Sequence, residues 1–223
     1  YQAGDTTLVW EEKASVSVAR YAYDGVETLG SKIYFVGGFK DTAKNTAERY
    51  DPATNQWETL VAMSATREGV AAAVLDGKIY AIGGQVLTSV EIFDPATGQW
   101  SAGPALPSEV NHGTAITVGG KILLMGGRNS ADQNINQVLE LDPSTNQWSQ
   151  KAAMPTARDG LKLVLYDGKV WAIGGYDGNY INKVEIYDPA ANSWTTGPSL
   201  TTARHWPSAW VANDRIFVSG GRV

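Results

Sequence analysis

Two adjacent glycines close a short apolar run at five places in this chain, and that recurrence narrows the possible folds more than any compositional property. The copies are KIYFVGG at Gly37-Gly38, KIYAIGG at Gly83-Gly84, KILLMGG at Gly126-Gly127, KVWAIGG at Gly174-Gly175 and RIFVSGG at Gly220-Gly221. Each begins with a basic residue and is rich in Ile, Val or aromatics, the pattern of a buried strand. A tryptophan precedes each pair: Trp10, Trp57, Trp100, Trp148 and Trp194. The Trp-to-Gly spacing is identical in the last four repeats and longer by a single position in the first. The return from glycine to the next tryptophan varies from repeat to repeat. The repeat therefore has a rigid half and an elastic half. Its period, about 45 residues, lies in the range that means a solenoid or a propeller. Two glycines in succession leave bare backbone that a bulky group can approach, and the repeated tryptophan is expected to fill that space.

Within a repeat the sequence marks four strands, A to D. In the second repeat strand A is Val70 to Leu75, and Asp76-Gly77 forms the turn into strand B, the KIYAIGG run. Asp-Gly suits a two-residue hairpin because both central residues take positive φ. The other repeats carry Gly30-Ser31, Gly119-Gly120, Asp167-Gly168 and Asn213-Asp214 there. A loop of variable length leads to strand C, which ends at Phe93. The C-to-D turn then reads DPATNQW from Asp51, DPATGQW from Asp94, DPSTNQW from Asp142 and DPAANSW from Asp188. Asp bonds amides ahead of it and Pro sets the first turn dihedral. Asn55, Gly98, Asn146 and Asn192 stand where the turn needs a left-handed residue.

Together, the Gly-Gly pair, the aromatic before Asp-Pro, the Trp seven residues later and the Arg ten beyond it resemble the kelch repeat, over nearly the whole chain. The resemblance implies an all-β fold, a β-propeller of four-stranded antiparallel blades with strand A innermost. One domain over 1–223 is expected, with repeats at about 14–60, 61–103, 104–151, 152–197 and 198–223, the last completed by 1–13. In that reading the strand around Trp10 supplies the outer part of the fifth blade. Pairing of the terminal strands closes a five-bladed ring and removes two open edges. Ala3 takes the slot of Tyr50, Phe93, Leu141 and Tyr187, so the fifth C strand is short. The alternative is a fragment of a six- or seven-bladed ring. Small residues on strand A, such as Ala71-Ala72-Ala73, suit blades converging on a narrow axis.

Composition excludes several function classes. The net charge of −5 argues against nucleic-acid and anionic-membrane partners. The chain has no cysteine, hence no disulfide and no thiol chemistry. No run reads as a signal peptide or membrane span, and the compartment stays open. No cofactor or metal is implied: two histidines, His112 and His205, make a weak metal case. A monomer is expected.

The A–B and C–D turns share one face of an antiparallel blade, and the B–C and D–A loops share the other. The first face is stereotyped and reads as scaffold. The second is variable, the place where propellers and barrels carry recognition. Arg20, Arg67, Arg158 and Arg204 lie at its D–A end, with Val110 in the third repeat. Strand C carries Glu48, Glu91 and Glu185, with Leu139 in the third repeat and Tyr1 in the fifth. The repeat that lacks Arg thus also lacks Glu, which suggests intrablade ion pairs replaced once by an apolar pair. The competing reading makes the arginines ligand contacts, Arg204 above all. The candidate recognition set is Arg20, Tyr21, Arg67, Glu68, Asn111, His112, Arg128, Asp159, Tyr176, Tyr180, Arg204, His205 and Trp206. Two functions fit. One is a non-catalytic module that binds a protein or peptide, as kelch loops do in the family. The other is a carbohydrate-binding or sugar-active, mutarotase-like propeller that uses the Arg ring with Tyr176, Tyr180 and Trp206.

Overall fold

The computed structural model describes residues 11–21 and 24–223. In the first sheet β1 (Val26–Leu29), β2 (Lys32–Val36), β5 (Ala47–Asp51) and β6 (Gln56–Thr59) pair in that order. The short hairpin β3 (Phe39–Lys40) and β4 (Thr42–Ala43) rises from its B–C loop. The second sheet joins β7 (Ala71–Leu75), β8 (Lys78–Ile82), β9 (Val90–Asp94) and β10 (Gln99–Ala102). The third joins β11 (Thr114–Val118), β12 (Lys121–Met125), β13 (Val138–Asp142) and β14 (Gln147–Gln150). The fourth joins β15 (Lys162–Tyr166), β16 (Lys169–Ile173), β17 (Val184–Asp188) and β18 (Ser193–Thr196). A two-stranded sheet follows, β19 (Ser208–Ala212) with β20 (Arg215–Ser219). Every pairing is antiparallel, and the inner strands β1, β7, β11, β15 and β19 stand side by side in that order around an axis. This is a β-propeller. Each seam between successive sheets holds its own apolar core, and no element of the described residues is a helix.

The turns form as their residues dictate. Asp76-Gly77, Gly119-Gly120, Asp167-Gly168 and Asn213-Asp214 all have two positive φ angles. In the C–D turns Asp51, Asp94, Asp142 and Asp188 accept the amide two residues ahead at 2.9–3.0 Å. Asn55, Gly98, Asn146 and Asn192 are left-handed, with φ between 49° and 68°. The same aspartates explain the lysine that opens the first four glycine motifs: Lys32, Lys78, Lys121 and Lys169 pair with Asp51, Asp94, Asp142 and Asp188 across the blade.

The glycine pairs bind one blade to the next. The second glycine donates its amide to the carbonyl at the arginine slot of the following repeat: Gly38 to Arg67, Gly84 to Val110, Gly127 to Arg158 and Gly175 to Arg204, at 2.8–2.9 Å. The first glycine is left-handed and lies against that same carbonyl, so that a Cβ on Gly83 would stand 2.6 Å from Val110 O and one on Gly174 2.6 Å from Arg204 O. Backbone thus fills the bare space, and the expectation that tryptophan does so is corrected. Trp57, Trp100 and Trp194 instead pack on Tyr50, Phe93 and Tyr187, seven residues earlier, with ring centroids 5.1–5.2 Å apart. These three and Trp148 are half-buried, and each indole donates to a carbonyl of the D–A crossover entering its own blade: Trp57 to Ala14, Trp100 to Val61, Trp148 to Pro104 and Trp194 to Ala152.

A Cβ on Gly220 would meet nothing within 4 Å, and no bond of this kind runs from Gly221 among the described residues. The terminal pairing read from the sequence rests on Tyr1 to Trp10, which lie outside the described residues.

Candidate functional site: the loop-face rim

Three of the four arginines are structural. Arg67 has no exposed surface; its fork meets Glu91 at 3.0 Å, and Nη1 donates to the Gly83 and Ser89 carbonyls at 2.6 and 2.9 Å. Arg158 repeats this with Glu185 at 2.8 Å and the Gly174 carbonyl at 3.0 Å. Arg20 pairs with Glu48, and both side chains are buried. Burial depresses the Arg67 guanidinium and Glu91 opposes it. Burial would raise Glu91, but the Ser64 amide and Arg67 outweigh it and hold the carboxyl below its ordinary value. In the third repeat Val110 and Leu139 occupy the two slots within one apolar cluster. Arg20 and Arg67 are therefore withdrawn from the recognition set, because a ligand on the loop face cannot reach them. Arg204 is half-buried and donates to the Gly220 carbonyl at 2.6 Å, the inward direction its counterparts take.

The residue after each arginine slot behaves differently. It pairs through the backbone with the residue that follows the glycine pair of its own repeat: Tyr21 with Phe39, Asn111 with Arg128, Asp159 with Tyr176 and His205 with Arg222. In the second repeat the Glu68 carbonyl accepts the Gln85 amide at 2.8 Å. This two-rung ladder brings the strand A entry and the start of the B–C loop to one rim. Arg128 and Tyr176, far from the D–A loops in sequence, join the site by this route.

One further position completes the rim. Gly69 and Gly160, two residues after Arg67 and Arg158, are left-handed at φ +60° and +56°. In the third and fifth repeats the same slot holds His112 and Trp206, both at +53°. A left-handed backbone is strained for a bulky side chain. The amide of His112 donates to Gly69 O at 2.9 Å and that of Trp206 to Gly160 O at 2.8 Å, so each lies on the glycine of the preceding blade. A Cβ on Gly69 would come within 2.6 Å of the His112 ring, and one on Gly160 within 2.3 Å of the His205 ring.

The rim residues of the third to fifth repeats converge on Asp159, whose side chain is almost wholly buried. Arg128 Nε lies 3.2 Å from its carboxylate and His205 Nε2 3.5 Å. Arg128 also holds Asp132 at 2.9 Å, and its guanidinium stands over the Tyr176 ring at 5.7 Å. His205 stacks on Trp206 at 3.7 Å and contacts Tyr176 and Tyr180 at 5.4 and 5.6 Å. Trp206 also touches His112 at 5.7 Å and lies under Arg222 at 5.0 Å. Burial lowers the His112 pKa, against the attraction of Asp159. Burial lowers and the two aspartates raise that of Arg128, with a net rise. Tyr21 and Glu68 sit apart, on the first two repeats; Tyr21 is 68% exposed, and burial raises the Glu68 carboxyl. No group of three or more metal-ligating side chains occurs among the described residues.

A propeller with stereotyped turns on one face and an aromatic, arginine-bearing rim on the other defines the class of this protein as a β-propeller with a loop-face rim. The chain belongs to the kelch-repeat family: residues 25–221 match the model described as the KLHDC2/KLHL20/DRC7 Kelch-repeats domain. It is similar to Kelch-like protein 33 of Homo sapiens, 40% identical over 76 residues, covering 34% of this chain and 14% of that protein. It is also similar to the F-box/kelch-repeat protein At5g03020 of Arabidopsis thaliana, 44% identical over 63 residues, covering 28% and 18%. These matches thus take in less than a fifth of either relative's length. A solved structure entitled "Structure of YjhT" shares the fold at a TM-score of 0.79, with 20% identity, covering 91% of this chain and 73% of that one.

Proposed function

We propose that this protein is a binding module that takes a protein or peptide partner on the loop-face rim, centred on Tyr176, Tyr180, Trp206, Arg128 and Arg222. The observation that carries this reading is the aromatic group gathered around the buried Asp159–His205 pair and the partly exposed Arg128 beside it. Tyrosine, tryptophan and arginine are the residues that dominate protein interfaces. The Asp159 carboxylate holds Arg128 and His205, and the Tyr176, Tyr180 and Trp206 rings pack on His205; such preorganisation lowers the ordering cost of binding. The sugar-binding alternative needs an acid and an arginine presented to the ligand. Asp159 is turned inward and enclosed by Arg128 and His205, which favours the protein reading.

Selection of a displayed random-peptide library on the whole chain, beside a glycan array, tests the proposal. Peptide clones are expected to enrich on the parent, and to lose binding with Tyr180→Ala and Arg128→Ala but not with Lys78→Ala on the opposite face. Glycan binding abolished by the same two substitutions, with no peptide enriched, would establish the carbohydrate reading instead.

A further inference from the structure

The axis of the propeller carries charge that the repeat does not require. In the strand register Glu27 occupies the slot of Ala73, Ile116, Val164 and Trp210, and Lys162 that of Ala71, Thr114 and Ser208. Asp24 joins them from the entry to β1, with Lys162 Nζ at 3.2 Å and Thr114 Oγ1 at 2.8 Å. This ion pair crosses the channel between the first and fourth blades. On its loop-face side lies a cavity of about 100 Å³ that reaches Trp206. On the other side lies one of about 390 Å³, lined by Glu27 and Lys162, by Thr28 and Thr117, and by the apolar walls of Val74, Ile116 and Leu163.

We propose that the larger cavity is a binding site for a small organic monocation, an alkylammonium with an apolar body, whose ammonium is held by the Glu27 carboxylate. The volume is that of a small-molecule site. Lys162 and Asp24 neutralise one another, so the charge left to be matched is that of Glu27. Ca²⁺ and Mg²⁺ take six or more oxygens, usually from several carboxylates and carbonyls, and Zn²⁺ takes Cys or His ligands; the side-chain oxygens of this lining are only those of Glu27, Thr28 and Thr117. An anion would have to compete with Asp24 for Lys162.

The protonation of Glu27 supports the assignment. Burial is the dominant cause pushing its pKa up, to about 7; Lys162 opposes the rise, Asp24 adds to it and the Thr28 amide opposes it. Tyr34 faces Glu27 across the ladder on β2, and the lining from β7 and β11 is uncharged. An ammonium beside the carboxyl favours its ionised form, so binding near neutral pH releases a proton.

The test is calorimetric titration of the whole chain with n-butylammonium chloride, with n-butanol as the neutral counterpart. The amine stays protonated to about pH 10. Saturable binding of butylammonium is expected at pH 8, weakening about tenfold per pH unit below 7, with butanol inert. Glu27→Gln should weaken binding by about tenfold or more and abolish the pH dependence. Ile116→Trp, which fills the cavity and keeps the carboxyl, should also abolish binding, and decides the matter if Glu27→Gln does not fold. No saturable binding at pH 8, equal binding of butanol, or an unchanged affinity in either folded variant would overturn the proposal.

Discussion

Trp206 holds the left-handed backbone of Gly160, at φ +53° against +56°, two residues after the arginine slot of its repeat. A tryptophan in this conformation costs on the order of 1–3 kcal/mol, and in return its ring stacks on His205 at the rim. Trp206→Gly should therefore leave stability within about 1 kcal/mol of the parent, because relief of strain offsets the lost stacking. Peptide clones selected on the parent should lose binding to it. Thermal melting and binding measured on one sample separate the two effects, and a variant that binds as the parent does would remove Trp206 from the site.

The buried Arg67–Glu91 pair can be compared with Val110 and Leu139, its apolar equivalent in the neighbouring blade. Glu91→Leu alone leaves a buried guanidinium uncompensated and should cost about 3–5 kcal/mol. Adding Arg67→Val should recover part of that loss. Recovery stays partial, since Arg67 also holds the Gly83 and Ser89 carbonyls and Glu91 accepts the Ser64 amide at 2.7 Å. Urea denaturation of the two single variants and the double variant checks this, and strictly additive losses would mean the residues do not interact.

Trp148 lies on Leu141 in the strand pairing and donates to Pro104 O at 2.9 Å. Trp148→Phe keeps most of the apolar contact and loses the bond, so a loss of about 1 kcal/mol is expected. An unchanged denaturation midpoint would show that the indole bond contributes nothing.

What the sequence discloses here depends on repetition. Strands, turns and the Arg–Glu pairs recur, and covariation within one chain exposes them: the repeat lacking Arg also lacks Glu. The constant spacing between Trp and the glycine pair suggests a contact that the described residues do not make. It measures a D strand, a crossover and an A–B hairpin of fixed length, while the tryptophan's partners lie seven residues away and in the preceding crossover. The rim positions that follow the arginine slot are legible because that slot is itself repeated. The left-handed backbone of His112 and Trp206 leaves a legible trace, since Gly69 and Gly160 share their slot. The charged axis leaves one too, in Glu27 aligned with Ala73 and Ile116, but a carboxyl on an inner strand is recognised as unusual only once the strands are in register.

Glu27 also makes stability depend on pH. Its pKa in the folded chain, about 7, lies above the ordinary value of 4.5. Between these values the folded state holds a proton that the unfolded state has released, so stability falls as pH rises through this window and levels off above it. The shift corresponds to about 3 kcal/mol. Glu27→Gln should match the parent near pH 4.5 and exceed it by up to that amount near pH 8. Urea denaturation at both pH values reads the difference, and equal stability of the two proteins at pH 8 would mean that the carboxyl ionises without penalty.

Gly174 and Gly220 close equivalent strands and share a left-handed backbone, at φ +63° and +62°. Alanine at either carries the same conformational cost, about 1–2 kcal/mol. The two sites differ in what a Cβ meets. At Gly174 it would stand 2.6 Å from Arg204 O, the carbonyl that Gly175 bonds to join the fourth blade to the fifth sheet. At Gly220 it would meet none of the described residues within 4 Å. Gly174→Ala must displace backbone and weaken a seam, so it should cost on the order of 2 kcal/mol more than Gly220→Ala. The pair of substitutions also bears on the closure expected from residues 1–13. Were that closure to use the same stitch, Gly221 would bond the carbonyl of Arg20 and Gly220 would be as crowded as Gly174. Equal losses in the two variants, measured by urea denaturation, would therefore establish a fifth stitched seam; a milder Gly220→Ala shows that no such stitch forms there.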